Sequence, residues 1–127
     1  MNAEDLESRY RRQSHRSRDF FERGRYYTAG AAKGAYYYPP YPLTMDRGEG
    51  CYLWDVDGNR YIDWVSGIGS IILGYADDVV DDAVRDQLSR GIVYSISHEL
   101  ELELAEELVT QIPCAEMVRY AKGGGEA

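Results

Sequence analysis

The step Asp57-Gly58 lies between two short runs rich in large apolar and aromatic groups, Tyr52 to Val56 and Arg60 to Trp64. An Asp-Gly pair so flanked is a strong local signal for a β-hairpin, because both residues tolerate the positive φ that a tight return of the chain requires. Tyr52, Trp54 and Val56 alternate with Leu53 and Asp55, the period-two pattern of a strand with two different faces. Asp55, Asp57 and Asn59 also occupy the first, third and fifth positions of a calcium-loop template. That template fails at its sixth position, where Arg60 replaces the glycine of the sharp turn, and at its twelfth, where Ser66 replaces a bidentate glutamate. The segment is therefore read as a hairpin turn, and no metal ligands are assigned.

Around this hairpin the order of segments is informative. Ala3 to Arg23 has helix-compatible composition with few large apolar groups, Tyr10, Phe20 and Phe21 among them, so it is expected to lean on something else. Residues 26–41 hold six of the twelve tyrosines together with Pro39-Pro40 and read as an ordered loop. After the hairpin, Gly67, Gly69 and Gly74 surround Ile71, Ile72 and Leu73, as a backbone passing close to other groups would require. Val80, Val84 and Leu88 fall at helical spacing between Asp77 and Arg90, with Asp77 and Asp78 suited to the positive end of the helix dipole. A second helix is predicted over Glu99 to Gln111, capped by Ser97, striped by Leu100, Leu104 and Leu108, and stopped by Ile112-Pro113. Residues 116–121 read as a strand that enters the run Lys122-Gly123-Gly124-Gly125. Hairpin, helix, helix, strand and glycine loop make an α/β opening.

Composition narrows the functional classes. The 127 residues carry a net charge of −8, which disfavours a nucleic-acid backbone as partner. Residues 1–25 hold seven arginines against five acids, a net of +2, leaving −10 for the rest, so the first segment reads as a solvated helix or a subunit-clasping arm. No apolar run approaches the roughly 20 residues of a membrane span, and Met1 to Arg25 contains no apolar signal core. Cys51 and Cys114 show neither metal spacing nor disulfide density. A soluble, cytoplasmic protein is expected. His15 and His98 are read as solvent-facing or capping, and the Asp77 to Asp86 cluster as a solvated helix face. Glycines after a strand can cradle a phosphate on their amides, and they can equally form a flexible tail; no GK-Ser/Thr closes this loop as a nucleotide-binding motif would. Lys33 and Lys122, the only lysines, carry no mark of a Schiff-base nucleophile.

Taken together, residues 42–75, PLTMDRGEGCYLWDVDGNRYIDWVSGIGSIILGY, resemble the pattern of the class III aminotransferases, with its D-x-D-G hairpin, its "YID", a glycine-bearing segment and "LGH". VVDDAVRDQLSRG, SHELELELAEELVTQIP and CAEMVRYAKGGGEA follow in that family's order, and the last is similar to its V-R-x-x-N-S-G-T-E-A loop. FERGRYYTAG and AAKG look most like the glutamate-1-semialdehyde aminomutase branch, and the likeness covers residues 17–127.

The resemblance implies the N-terminal part of a fold-type I transferase dependent on pyridoxal 5'-phosphate. Residues 1–75 would be an arm and small-domain hairpin sheet, and residues 76–127 the start of the large cofactor domain. It further implies amino transfer between an amino donor and a carbonyl acceptor by a homodimer whose full-length chain holds the cofactor. Gly123, Gly124 and Gly125 would bind the cofactor phosphate, while Ser66, Gly67, Ile68 and Tyr36 would face substrate, the 66–69 stretch as a strand-like segment. Ile68 stands where aminomutases carry tryptophan, Tyr36 near their carboxylate-binding arginine, and Tyr75 where many relatives have histidine. The Schiff-base lysine would lie beyond Ala127, so no catalytic residue is assigned within the chain and the chain alone is expected to be inactive. The competing expectation is a non-catalytic fragment or dimerising module.

Overall fold

The computed structural model describes residues 3–29 and 39–126, which fall into two compact units, Met1–Ala83 and Val84–Ala127. The first contains α1 (Ala3–Gln13), α2 (His15–Gly24), three strands, β1 (Met45–Glu49), β2 (Tyr52–Asp55) and β3 (Arg60–Ile62), and a 3-10 turn at Ser66–Gly69. α3 (Asp78–Arg90) begins in this unit and ends in the second, where α4 (Glu99–Gln111) follows.

The hairpin forms where its turn residues place it. Asp55 and Asn59 pair across the turn with the Asp55 amide 3.0 Å from the Asn59 carbonyl, and Gly58 closes it at φ 87. β1 adds on the other edge of β2, giving an antiparallel sheet of order β1-β2-β3 with an irregularity between Met45 and Arg47. Alternation along β2 separates two faces. On one, Arg47 stacks 3.6 Å from the Trp54 ring centre and Arg60 4.6 Å from that of Tyr52, so long cationic side chains cover the aromatics. On the other lies Asp55.

The expected single N-terminal helix is broken at Ser14, whose backbone sits at φ −133, ψ 42. The cause is tertiary. The Ser14 hydroxyl lies 2.6 Å from the Tyr10 carbonyl and 3.2 Å from the Tyr41 hydroxyl. The amides of Arg16 and Ser17, in the opening turn of α2, donate to the Asp57 carboxylate at 2.8 and 3.1 Å. Asp57 thus caps a helix distant in sequence, placing negative charge at the positive end of its dipole. Its side chain is only 2% exposed.

The buried set among the described residues is Tyr41, Ser14, Ser17 and Asp55, every one of which carries a side-chain polar atom. Tyr10 donates to the Tyr41 carbonyl at 2.6 Å, Ser17 accepts from the Thr44 amide at 3.1 Å, and Asn59 donates to the Gln13 carbonyl at 2.7 Å. Arg16 reaches the Val56 carbonyl. Burial, then the charges of Tyr41 and Asp55, push the Tyr10 hydroxyl up to about 12.

In the second unit Gly91, at φ 104, ends α3, and the Tyr94 hydroxyl lies 2.9 Å from the Arg90 carbonyl. α4 runs over the predicted range, but its cap is His98, not Ser97. His98 is extended at φ −108, ψ 150, and its Nδ1 accepts from the Leu100 amide at 3.1 Å. The predicted strand at 116–121 is absent: a strand needs a partner for its amides and carbonyls, and no described residue supplies one. The segment is tied instead by the Tyr120 hydroxyl, which donates to the Glu101 carbonyl at 2.7 Å. Among the described residues no helix is long and apolar enough to cross a membrane.

Desolvation pushes the Asp57 carboxyl upward, but the amides of Arg16 and Ser17, the Ser17 hydroxyl and nearby His15 outweigh it and hold it below its ordinary range. A depressed folded value means that the contribution is present above the ordinary carboxylate pKa and is lost as pH falls through the folded one. Asp57→Ala is therefore expected to lower stability in urea by about 1–3 kcal/mol at neutral pH, with wild type and variant converging in acid. A neutral-pH difference near zero, or one that persists unchanged in acid, would contradict the capping role.

Candidate functional site

Two of the sequence-derived groups lie within described residues, one in each unit. Ser66, Gly67 and Ile68 form a turn in the first, and its backbone is unusual. Ser66, Gly67, Ile68 and Gly69 have φ of 48, 58, 60 and 87, four consecutive left-handed residues. The strand-like segment expected here is thus a left-handed 3-10 turn, closed by the Ile68 amide on the Val65 carbonyl at 2.8 Å. Glycine adopts such angles without penalty; serine and above all β-branched isoleucine do not, at about 1–2 kcal/mol each. Strain of this kind persists only where neighbouring structure enforces it. Ile68 is 72% exposed, so its own burial does not hold the turn in place.

Bonds within the loop, from the Ile71 amide to the Ser66 carbonyl at 3.2 Å and from the Ser70 hydroxyl to the Gly67 carbonyl at 2.9 Å, are joined by others that pin its two ends. Asp63 donates its amide to the Cys51 carbonyl at 2.9 Å, and Tyr75 exchanges two backbone bonds with Gly50, both 2.8 Å. Gly74, at φ 97, passes so close to Gly50 that an added Cβ would sit 3.0 Å from the Gly50 carbonyl oxygen, which accounts for the glycine expected at a close backbone approach. The Tyr75 hydroxyl then donates to Asp63 at 2.7 Å, and the same carboxylate accepts from the Val65 amide at 2.8 Å. The Tyr75 hydroxyl, first, and the backbone amides of Val65 and Ser66 pull the Asp63 carboxyl below its ordinary range against some desolvation. The bond to Asp63, burial and the carboxylate charge push Tyr75 up to about 12.

This closed loop borders a cleft of about 210 Å³ lined in part by Cys51, Asp63, Ser66, Ile71, Leu73 and Tyr75. Ser66 was singled out from sequence; Asp63 and Tyr75 were not given a role there, because their pairing across twelve positions leaves no local pattern. Around the loop Trp64, Val65, Ile72 and Leu73 are exposed. Tyr36 lies outside the described residues.

The second group, Gly123 to Gly125, forms an exposed turn in which the Glu126 amide donates to the Gly123 carbonyl at 3.0 Å. Open space surrounds the Cβ position of all three glycines. The Lys122 amide donates to the Glu126 carboxylate at 3.0 Å, so one backbone donor of this turn holds a carboxylate oxygen of the chain itself. Exposed glycine amides next to a lysine are the kind of group a phosphate can use. No set of three or more His, Cys, Asp and Glu side chains placed to hold a metal occurs among the described residues. The oxygens of Asp55 and Asp57 are taken by internal donors, among them Asn59, Tyr61, Arg16 and Ser17.

The sequence pattern of the aminotransferase class-III family matches residues 34–127, and the chain belongs to that family. It is 42% identical over 113 residues to glutamate-1-semialdehyde 2,1-aminomutase of Methanocaldococcus jannaschii, an alignment covering 88% of this chain and 26% of that protein. The chain spans about a quarter of the length of the curated relatives it matches. Its fold superposes on a β-phenylalanine aminotransferase from Variovorax paradoxus with a TM-score of 0.90 and 33% identity, over 97% of this chain and 29% of that one. A transaminase solved with PLP bound matches with a TM-score of 0.82 and 27% identity, over 89% of this chain and 27% of the other. The α/β class and the small antiparallel sheet agree with the N-terminal part of such enzymes.

If the flanking contacts impose the left-handed turn, Ile68→Gly should relieve strain. We expect it to leave urea stability unchanged or raise it by up to about 1 kcal/mol, against the loss of about 0.5–1 kcal/mol usual for glycine at an exposed site of ordinary φ. A loss of the ordinary size would show that Ile68 is unstrained in solution.

Proposed function

We propose that the chain forms part of a pyridoxal-phosphate-dependent enzyme that moves an amino group between an amino donor and a carbonyl acceptor, a scope that includes the internal transfer of an aminomutase. The observation carrying this reading is the match of residues 34–127 to the class III aminotransferase family, supported by an exposed Gly123–Gly125 turn with open space at each Cβ position. In this reading the amides of Gly123, Gly124 and Gly125 hold the cofactor phosphate and Lys122 adds its charge. Ser66, Gly67, Ile68 and Tyr36 face substrate. Residues 1–75 serve as arm and small domain, residues 76–127 begin the cofactor domain, and the enzyme works as a cytoplasmic homodimer. The bound cofactor would supply the electron sink, leaving the protein to fix geometry and electrostatics.

Neither lysine of the chain is assigned the covalent role. Lys122 beside the phosphate is a good charge partner, but it is poorly placed to reach the aldehyde on the far side of the ring. The 127-residue chain by itself is accordingly expected to lack transaminase activity and to bind the cofactor weakly.

Titration of the labelled chain with pyridoxal phosphate should shift the amide resonances of residues 122–126 with millimolar affinity, about −4 kcal/mol. Inorganic phosphate should reproduce those shifts, pyridoxal without its phosphate should not, and borohydride should trap no stoichiometric adduct. Shifts confined to other residues would remove the phosphate loop from the reading. A stoichiometric adduct on Lys122, lost in Lys122→Ala, would show that the loop lysine itself can act covalently.

A further inference from the structure

We propose that Asp63 and Tyr75 are positioning residues whose side-chain bond closes the 63–75 loop and holds Ser66–Gly69 in its left-handed form. What the held turn faces rests on the substrate-facing reading above; the clamp itself rests on geometry. Both ends of the loop are pinned to the same short turn between β1 and β2, Asp63 to Cys51 and Tyr75 to Gly50. The hydroxyl of Tyr75 then joins the two ends directly at 2.7 Å. The carboxylate of Asp63 does more than accept that bond: its other oxygen takes the Val65 amide at 2.8 Å, orienting the chain immediately before the first left-handed residue. One side chain thereby links the closure of the loop to the entrance of the strained turn.

Space reinforces the arrangement. A Cβ at Gly48 would lie 2.4 Å from the Tyr75 ring, so the ring occupies a seat on β1 that a side chain there would fill. The ring's packing and its hydroxyl are therefore separable. Tyr75→Phe keeps the seat and removes only the O–H. Asp63→Asn keeps shape and an acceptor oxygen but removes the charge.

Strained residues such as half-buried Ser66 and exposed Ile68 return to ordinary φ when the ends that enforce them are released. The displacement would move Ser66 at the edge of the cleft and Ile68 at its exposed tip.

Amide hydrogen exchange of the whole chain without cofactor, followed residue by residue, tests the clamp. Tyr75→Phe is expected to speed exchange of the Ile68 amide at least about tenfold, leaving the β2 amides within about twofold of wild type. Asp63→Asn should give a smaller acceleration and return the late Tyr75 hydroxyl titration, followed by ultraviolet absorbance, toward that of an ordinary tyrosine. Unchanged Ile68 exchange in Tyr75→Phe, equal acceleration across β2, or an unmoved tyrosine titration in Asp63→Asn would each overturn the proposal. Because no cofactor is present, these results stand apart from the phosphate-loop titration: either idea can fail while the other survives.

Discussion

A carboxylate buried to 2% exposure is tolerated only when its lone pairs are filled, and Asp55 meets that condition with four groups. The amides of Asp57 and Asn59 approach it at 3.0 and 2.8 Å, the Asn59 side-chain amide at 2.9 Å and the Tyr61 hydroxyl at 2.9 Å. Burial, and then the bond and charge of Asp55, push the Tyr61 hydroxyl upward, the mark of a donor committed to a carboxylate. By fixing the turn, Asp55 aims Asp57 at α2 and Asn59 at the end of α1. The unit is thereby organised about a satisfied polar network, with tyrosine rings in place of an aliphatic core. Such networks are cooperative, since removing one member leaves several others buried and unpaired.

The rest of the unit follows outward from that turn. With β2 and β3 in register, Cys51 and Gly50 stand where they can hold Asp63 and Tyr75, and those contacts impose the left-handed 66–69 turn. The candidate substrate-facing segment is thus several bonds removed from the polar network but mechanically dependent on it. Strain at Ser66 and Ile68 is a small load for a framework that ties both loop ends to one rigid turn. The large share of exposed apolar groups, Trp64, Ile72, Leu100 and Met117 among them, fits a chain spanning a quarter of the length of its relatives.

What the sequence made legible was local. The hairpin followed from Asp57-Gly58 and period-two alternation, and α3 and α4 from helical spacing with acids in the first turn. Features set by distant partners were hidden. Nothing near Ser14 announces a helix break, because the cap for α2 comes from Asp57 some 40 residues away. The 66–69 glycines suggested an unusual backbone, yet its left-handed sense depends on Asp63 and Tyr75, and the strand at 116–121 failed for want of a neighbour. Of the candidate site, the glycine turn was visible in composition, and the substrate-facing roles proposed for Ser66 to Ile68 rest on the family's segment order.

If Asp55 organises the first unit, Asp55→Ala should disturb elements that never touch it. Native-state hydrogen exchange is the direct readout, comparing α2 amides beyond the capped turn, β2 amides and the Ile68 amide in variant and wild type. All three regions are expected to lose protection together, by a common free energy of about 2–5 kcal/mol, as a shared network requires. Loss confined to residues 55–61, with α2 and Ile68 protected as in the wild type, would show that the arm and the loop are held independently of the buried carboxylate.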